Sequence, residues 1–411
     1  MAAGTPRAPL RSLDEALAEL LGHAHVLGGT ETISTFDADG RVLAQDLVSA
    51  LQIPPQDNSS MDGYAVRRAE IADEGVVLTV SQRIAAGGPA EPLAPGTVAR
   101  IFTGAVVPQG ADAIVMQEDT EVLPDGRVRI QSVPSAGQWI RRSGEDVRRG
   151  AVVVARGERI GPASQGQAAG IGLDRLVVAR RPRVALFSTG DELVMPGTVA
   201  PEAMKPGSIY NSNRFFLRTL LRRLGCEVND LGIVPDDRAA TVQALRDAAQ
   251  GNDVILTSGG VSVGEEDHVK PAVQQLGTLD LWQIAMKPGK PFAHGRIGEA
   301  HFIGLPGNPV SSFITFLLLV RPFLLKLQGA TQLQPAAVHL PARFELPRPD
   351  RRREFLRVRR TADGGLEMFP NQSSGVLTSM TWADGLADNP GGQAIASGDL
   401  LRFLPLAELL S

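Results

Sequence analysis

A single cysteine, Cys226, stands among 411 residues, which excludes an internal disulfide framework. The six histidines are scattered along the chain and leave no clustered zinc-ligand spacing. Basic residues hold no majority. Lys and Arg total 41 against 45 Asp and Glu, a formal net charge of −4, so a general basic field for nucleic acid is missing. Long apolar runs are missing too: the richest, Phe313 to Leu325, is broken by Arg321 and Pro322 and is too short to span a bilayer. The opening MAAGTPRAPLRS lacks the apolar stretch of a signal peptide. These absences lead us to expect a cytoplasmic protein with no membrane and no nucleic-acid partner. Neither an internal repeat nor a low-complexity tract is evident. What remains, 43% apolar and 21% charged residues, is material for a globular protein of more than one domain.

The most informative stretch runs from Asn252 to Lys270, NDVILTSGGVSVGEEDHVK. Val254, Ile255 and Leu256 have the apolar, mostly β-branched character of a buried parallel strand. Gly259 and Gly260 follow where such a strand reaches the carboxyl edge of its sheet. Ligands bind at such edges, and glycines let backbone N–H groups come close to a phosphate. Taken alone, the pattern also fits an ordinary strand-to-helix turn. Other strands repeat it. Val184-Ala-Leu-Phe187 runs into Ser188-Thr-Gly-Asp-Glu-Leu193 with the same order of hydroxyl, glycine and acid. A strand-like piece from Trp282 to Met286 leads into Lys287-Pro-Gly-Lys-Pro291, two ammonium groups on a turn stiffened by two prolines. His301 to Leu305 precedes Pro306-Gly-Asn-Pro309 and the helix-like run Val310 to Val320, whose N-terminus is another anion-friendly end.

Along the chain, Ser12-Leu-Asp-Glu15 has the form of a capping box and opens an amphipathic helix expected to stop near Gly28-Gly29. His23 and His25 fall on it. A spacing of two cannot share a helical face, which favours a surface role over a metal pair. Residues 51–146 alternate short β-like pieces with Gly and Pro turns and read as a separate β-rich domain. Residues 182–330 alternate strands with helices, for example a helix over Asn211 to Leu224, in a doubly wound α/β pattern. Residues 331–411 read as a small β domain. In it, Leu356 and Val358 alternate with Arg357 and Arg359 as in a strand with one solvated face, and no stacking aromatics interleave the arginines.

Six ordered motifs, MDGYAVR at Met61, GQWIRRSGEDV at Gly137, STGDEL, TSGGVSVGEEDHVK, MKPGKPFAHG and GLPGNPVSSF, resemble those of the MoeA family of molybdopterin molybdenumtransferases over essentially the whole chain. The resemblance implies a multidomain α/β plus β fold. In that layout residues 1–50 and 147–181 form a discontinuous N-terminal linker and dimerisation domain, interrupted by the β-rich insertion. Residues 182–330 form a doubly wound α/β molybdopterin-binding domain, and 331–411 a C-terminal β domain. The implied reaction moves molybdenum from molybdate into adenylylated molybdopterin, with release of AMP and dependence on a divalent cation such as Mg²⁺.

Both substrates are anions, so a pocket for them should be rich in N–H groups and ammonium ions. Carboxylates there make sense mainly where a hard cation bridges acid and phosphate. Glu192 and Asp267 are therefore the expected Mg²⁺ ligands, and with Asp62, Thr103 and Asp146 the expected catalytic set. Asp62 also reads as a turn residue, and Arg141, Arg142 and Asp146 as a surface charge cluster. Substrate contacts are expected from Arg141, Ser188, Thr189, Gly190, Ser258, Gly259, Gly260, Lys287, Lys290, Pro306 and Asn308. The family has a further acid at Asp236 or Asp237, both of which read as caps of a helix from Arg238 to Ala249. From the last domain it offers an arginine and a serine, matched by Arg352 or Arg353 and by Ser374. His268, after Asp267, departs from many relatives and reads as a surface residue. The resemblance further implies a homodimer with a composite site, and admits a molybdopterin adenylyltransferase and molybdoenzyme-maturation proteins as partners. Two other functions are open. A molybdopterin adenylyltransferase would not need residues 51–146 or 331–411, and a non-catalytic carrier or scaffold would not need so many acids.

Overall fold

The computed structural model describes residues 10–260 and 268–410; Asp267 lies outside them. The chain forms two compact units. One comprises Asp46–Ala155 and Ala163–Asp174, and the other holds the chain up to Gln45, Arg156–Pro162 and everything from Arg175 onward.

The first unit is built on a six-stranded sheet in the order Ala113–Met116, Gly63–Val66, Thr97–Ile101, Val77–Ile84, Val128–Ile130, Thr120–Val122. Alternation along its strands sends successive side chains to opposite faces. Tyr64, Val66, Val98 and Val115 thus enter one buried cluster, while Ala65, Ala99, Ile101 and Ile114 enter another. Helix Pro162–Gly170 is poorly amphipathic and buries only Ala168.

In the second unit, six strands form one sheet: β1 (Arg183–Thr189), β2 (Glu227–Val234), β3 (Val254–Ser258), β4 (Thr278–Gln283), β5 (Pro291–Ile297) and β6 (Ala300–Leu305), in the order β2-β1-β3-β6-β5-β4. The first four in that order are mutually parallel; β5 and β4 complete the edge with antiparallel pairings. Both faces are buried, which is why the strands read as continuous apolar runs. Val184, Leu186, Val254, Leu256 and Ile303 pack on one face with Leu217 and Leu221 of helix α1 (Asn213–Arg223) and with the long helix after β6. Ala185, Phe187, Ile255 and Phe302 pack on the other with α2 (Arg238–Ala249) and α3 (Val269–Leu276). The chain leaves β1 toward β2 on one side, while β3 lies on the other side of β1. The carboxyl ends of β1 and β3 are therefore the topological switch point, where such sheets bind ligands.

The long helix begins as α4 (Pro309–Thr315) and continues through a π-turn, Phe316–Val320, into Arg321–Leu327. Among the described residues Pro309–Leu327 is the one helix long and apolar enough to cross a membrane, and 83% of it is buried inside the fold. It is the core helix of this unit. Its buried Arg321 donates through Nη1 and Nη2 to the carbonyls of Leu333 and Glu408, while its Nε has no partner. The N-terminal helix Leu13–His23 has the expected capping box between Ser12 and Glu15 and buries Leu13, Ala16, Leu17 and Leu20. It stops five residues short of Gly28-Gly29, so His25 lies beyond it. His23 stacks on His294 of β5 with ring centroids 4.8 Å apart.

The C-terminal sheet runs Met286–Lys287, Arg353–Arg360, Gly385–Asn389, Leu400–Pro405, Val338–Pro341, with Leu366–Met368 also pairing with Arg353–Arg360. Two expectations fail here. The strand expected over Trp282 to Met286 is divided: β4 ends at Gln283, and Met286–Lys287 pairs in parallel with Arg353 and Glu354 of the other sheet. The wet strand face is also interrupted. Arg359 is exposed and pairs with Glu367, but Arg357 is only 1% exposed. Its guanidinium donates to Ser379 Oγ and to the carbonyls of Phe355 and Ser373, so polar partners replace the water that the alternation suggested.

Candidate functional site

At the switch point the ends of β1, β3 and β6 and the segment before α1 enclose a cleft of about 340 Å³, lined by Thr189, Glu192, Asn211, Asn213, Ser258, Gly259, Gly307 and Asn308 among others. Close backbone approach explains its glycines. Gly259 has φ +95°, and a Cβ there would lie 3.0 Å from the Thr189 carbonyl; at Gly260 (φ +67°) it would lie 2.4 Å from a methyl of Val269. The Gly259 N–H donates to the Leu305 carbonyl at 3.0 Å, and this draws the β3 turn onto the end of β6. Gly190 (φ +138°) lies under the Glu192 carboxylate, whose oxygen would be 2.5 Å from an added Cβ. Asn308 caps α4 without using its side chain, and Pro309 occupies the first helical position, where a missing N–H costs nothing. Ser188 and Pro306 are buried behind this surface.

The two candidate aspartates after β2 separate by geometry. Asp237 is the N-cap of α2 and accepts from the Ala240 N–H at 2.8 Å. The Asp236 N–H points to Asp191 Oδ1 at 3.4 Å, beside the β1 turn. Glu192 offers the hard oxygens that Mg²⁺ selects. Its expected partner, Asp267, is outside the described residues, and among those described no group of three His, Cys, Asp or Glu converges as a metal site.

A second cluster gathers around the lysine turn. Gly289 (φ +110°) packs so closely on α4 that an added Cβ would meet Thr315 Oγ1 at 2.4 Å. The same helix receives the C-terminal region, because the Val310 N–H donates to the Ser374 carbonyl at 2.9 Å. Lys287 Nζ lies 3.1 Å from Glu354 Oε1 and 3.6 Å from Asp350 Oδ2. Arg352 forks onto Asp350, with Nε–Oδ1 and Nη2–Oδ2 both 2.9 Å, and holds the Asp350 carboxyl well below the usual carboxylate range. Arg353 points elsewhere, onto Asp388 and Asp14. Lys287, Arg352 and Ser374 thus belong to one neighbourhood, with Lys290 at the far end of the turn.

In the other unit, Asp62 Oδ1 accepts from both the backbone N–H and the hydroxyl of Thr103, at 2.8 and 2.9 Å. Those two bonds lower the Asp62 pKa. Arg141 lies on a short strand paired with Asn58–Ser59, and Asp146 is exposed beyond it. Sequence reasoning missed Asn211, Asn213, Asp350 and Glu354. The asparagines fall in the polar first turn of the helix expected from Asn211, and acids among arginines carry no signal of a buried partner. Only the fold shows that the first pair lines the cleft and the second faces Lys287.

A doubly wound domain with a glycine-walled cleft at its switch point, joined to a sheet that supplies cations, defines a multidomain protein for phosphorylated or oxyanionic ligands. Three family profiles match the chain in order: the MoeA N-terminal region (domain I and II) over residues 11–172, a probable molybdopterin binding domain over 185–326, and the MoeA C-terminal region (domain IV) over 339–406. A molybdopterin molybdenumtransferase of Haemophilus influenzae is 42% identical over 322 residues, 78% of each chain. One from Nostoc sp. is 34% identical over 98% of this chain and 94% of its own. The crystal structure of the molybdopterin biosynthesis moeA protein from Pyrococcus horikoshii OT3 superposes with a TM-score of 0.83 at 27% identity, covering 97% of this chain and 100% of that one. The chain belongs to the MoeA family.

Proposed function

We propose that the protein is a molybdopterin molybdenumtransferase that inserts molybdenum from molybdate into adenylylated molybdopterin and releases AMP. The observation that carries this reading is the sharing of the lysine segment between two sheets. Lys287 follows β4 by a few residues yet pairs with Glu354 in the C-terminal sheet, so the cations beside α4 need both domains. A single-domain adenylyltransferase would have no use for that arrangement.

The pterin phosphates fit the glycine turns at Gly190, Gly259 and Gly260, where the backbone can come close, and molybdate fits Lys287, Lys290, Arg352 and Ser374 as a tetrahedral dianion held by point charges and a hydroxyl. Mg²⁺ would be held by Glu192 and Asp267 and would neutralise phosphate charge when bound. Asp62, Thr103, Arg141 and Asp146 act on the same substrates from the β-rich unit of a second subunit, so the active form is a homodimer with a composite site. A molybdopterin adenylyltransferase upstream and molybdoenzyme-maturation proteins downstream are the fitting partners, and the cytoplasm the fitting compartment.

The test is AMP release from adenylylated molybdopterin by the purified protein with Mg²⁺, with and without molybdate. Molybdate-dependent release with metal-loaded cofactor supports the proposal. ATP-dependent adenylylation of free molybdopterin would replace it by the adenylyltransferase reading, and binding without either reaction by the carrier reading.

A further inference from the structure

We infer that Asp350 and Glu354 are counter-charges that set the oxyanion selectivity of the lysine cluster, holding Lys287 and Arg352 in place while cancelling their charge before an anion arrives. The inference rests on the proposed role of Lys287 and Arg352 in oxyanion binding. The geometry that carries it is a closed quartet. Glu354 is 3% exposed and uses one oxygen for the Lys287 ammonium at 3.1 Å and the other for the Asp350 N–H at 3.0 Å. Asp350 uses both oxygens for the Arg352 fork and accepts the Arg352 N–H as well, at 3.0 Å. Two cations therefore face two carboxylates, and the group is formally neutral.

A site meant only to hold a dianion tightly would not carry two acids in its wall. A neutral quartet still offers N–H donors in a fixed array, because the lysine and the guanidinium are already oriented. It withholds the net positive charge that would fill the site with any abundant tetrahedral anion. Discrimination then comes from weakening the wrong occupants as much as from attracting the right one. The ligand class favoured is a tetrahedral oxyanion that gains further contacts within the assembled site, over free sulfate or phosphate that gains only charge.

The sign of a mutational effect separates this role from a structural one. Glu354→Gln keeps the shape and an oxygen for Lys287 but removes a negative charge. Binding to the full-length protein, measured by calorimetry at low ionic strength, should tighten by about tenfold for sulfate and by less for molybdate, so that sulfate becomes an effective competitor; equal tightening of the two would overturn the selectivity role. Unchanged or weaker binding by a folded Glu354→Gln variant, with Lys287→Ala still weakening molybdate, would overturn the counter-charge role. If Lys287→Ala leaves molybdate binding untouched, the oxyanion role of Lys287 falls, and this inference with it. Should Glu354→Gln not fold, Asp350→Asn at the more exposed acid gives the same sign test.

Discussion

The cleft at the ends of β1 and β3 and the cluster around Lys287 both suit anions, yet they are made of different materials. The cleft is shaped by backbone: its glycines at positive φ sit where an added side chain would collide, and uncharged hydroxyl and amide side chains make up much of the rest of its lining. The cluster is side chains: two cations and two acids held in mutual hydrogen bonds. Backbone sites select by shape and distance and tolerate almost no substitution. Side-chain sites select by charge, respond to salt, and can be tuned one residue at a time. A protein that must hold a large phosphorylated cofactor and a small oxyanion together has use for one of each.

The sharpest way to separate them is steric. Gly260→Val should cut turnover by about a hundredfold or more, because both the positive φ and the Val269 methyl forbid the side chain; the AMP-release assay measures this. Lys287→Arg, by contrast, should retain measurable activity. A second effect concerns the core that both regions share. Burial pushes His294 down to about 3 and His301 down to about 4, against about 6.5 for an unfolded histidine. The unfolded chain takes up those protons first, so the stability present above pH 6.5 is lost as pH falls toward 4. The two rings touch and titrate together, and urea unfolding should show lower stability at pH 5 than at pH 7. At the cleft edge, Asp237→Ala should cost about 1 kcal/mol of stability through the lost cap of α2. Asp236→Asn should leave the melting temperature unchanged and lower turnover. Smallest, raising salt from 50 to 200 mM should weaken molybdate binding at the cluster by a few-fold through screening, while pterin binding in the glycine cleft shifts less. Equal sensitivity of the two would erase the distinction.

Local chemistry made part of this readable in the one-dimensional chain. Ser12 and Glu15 sit three apart because a capping box demands it. Val254 to Leu256 is apolar because its strand is covered on both faces, and Gly259 and Gly260 are glycines because Thr189 and Val269 crowd them. The rest depends on partners distant in sequence. Nothing near Met286 says that it will leave one sheet for another, since its new neighbour Arg353 lies 67 residues on. Arg357 alternates like a solvated residue and is buried only because Ser373 and Ser379 come to it. The stacking of His23 on His294 joins the N-terminal helix to β5, a contact that helical spacing does not encode.

The divided segment after Trp282 has a mechanical meaning. With β4 ending at Gln283 and the next strand starting at Met286, only two residues separate a strand of the α/β sheet from a strand of the C-terminal sheet. The Ile284 N–H donates to the Lys290 carbonyl and the Arg353 N–H to the Ala285 carbonyl, so even this joint has no slack. Shearing one sheet past the other would break ladder bonds rather than extend a linker. Amide exchange should therefore report the two sheets opening as a single cooperative block, and trimming the chain before residue 353 should unzip the edge that carries Lys287.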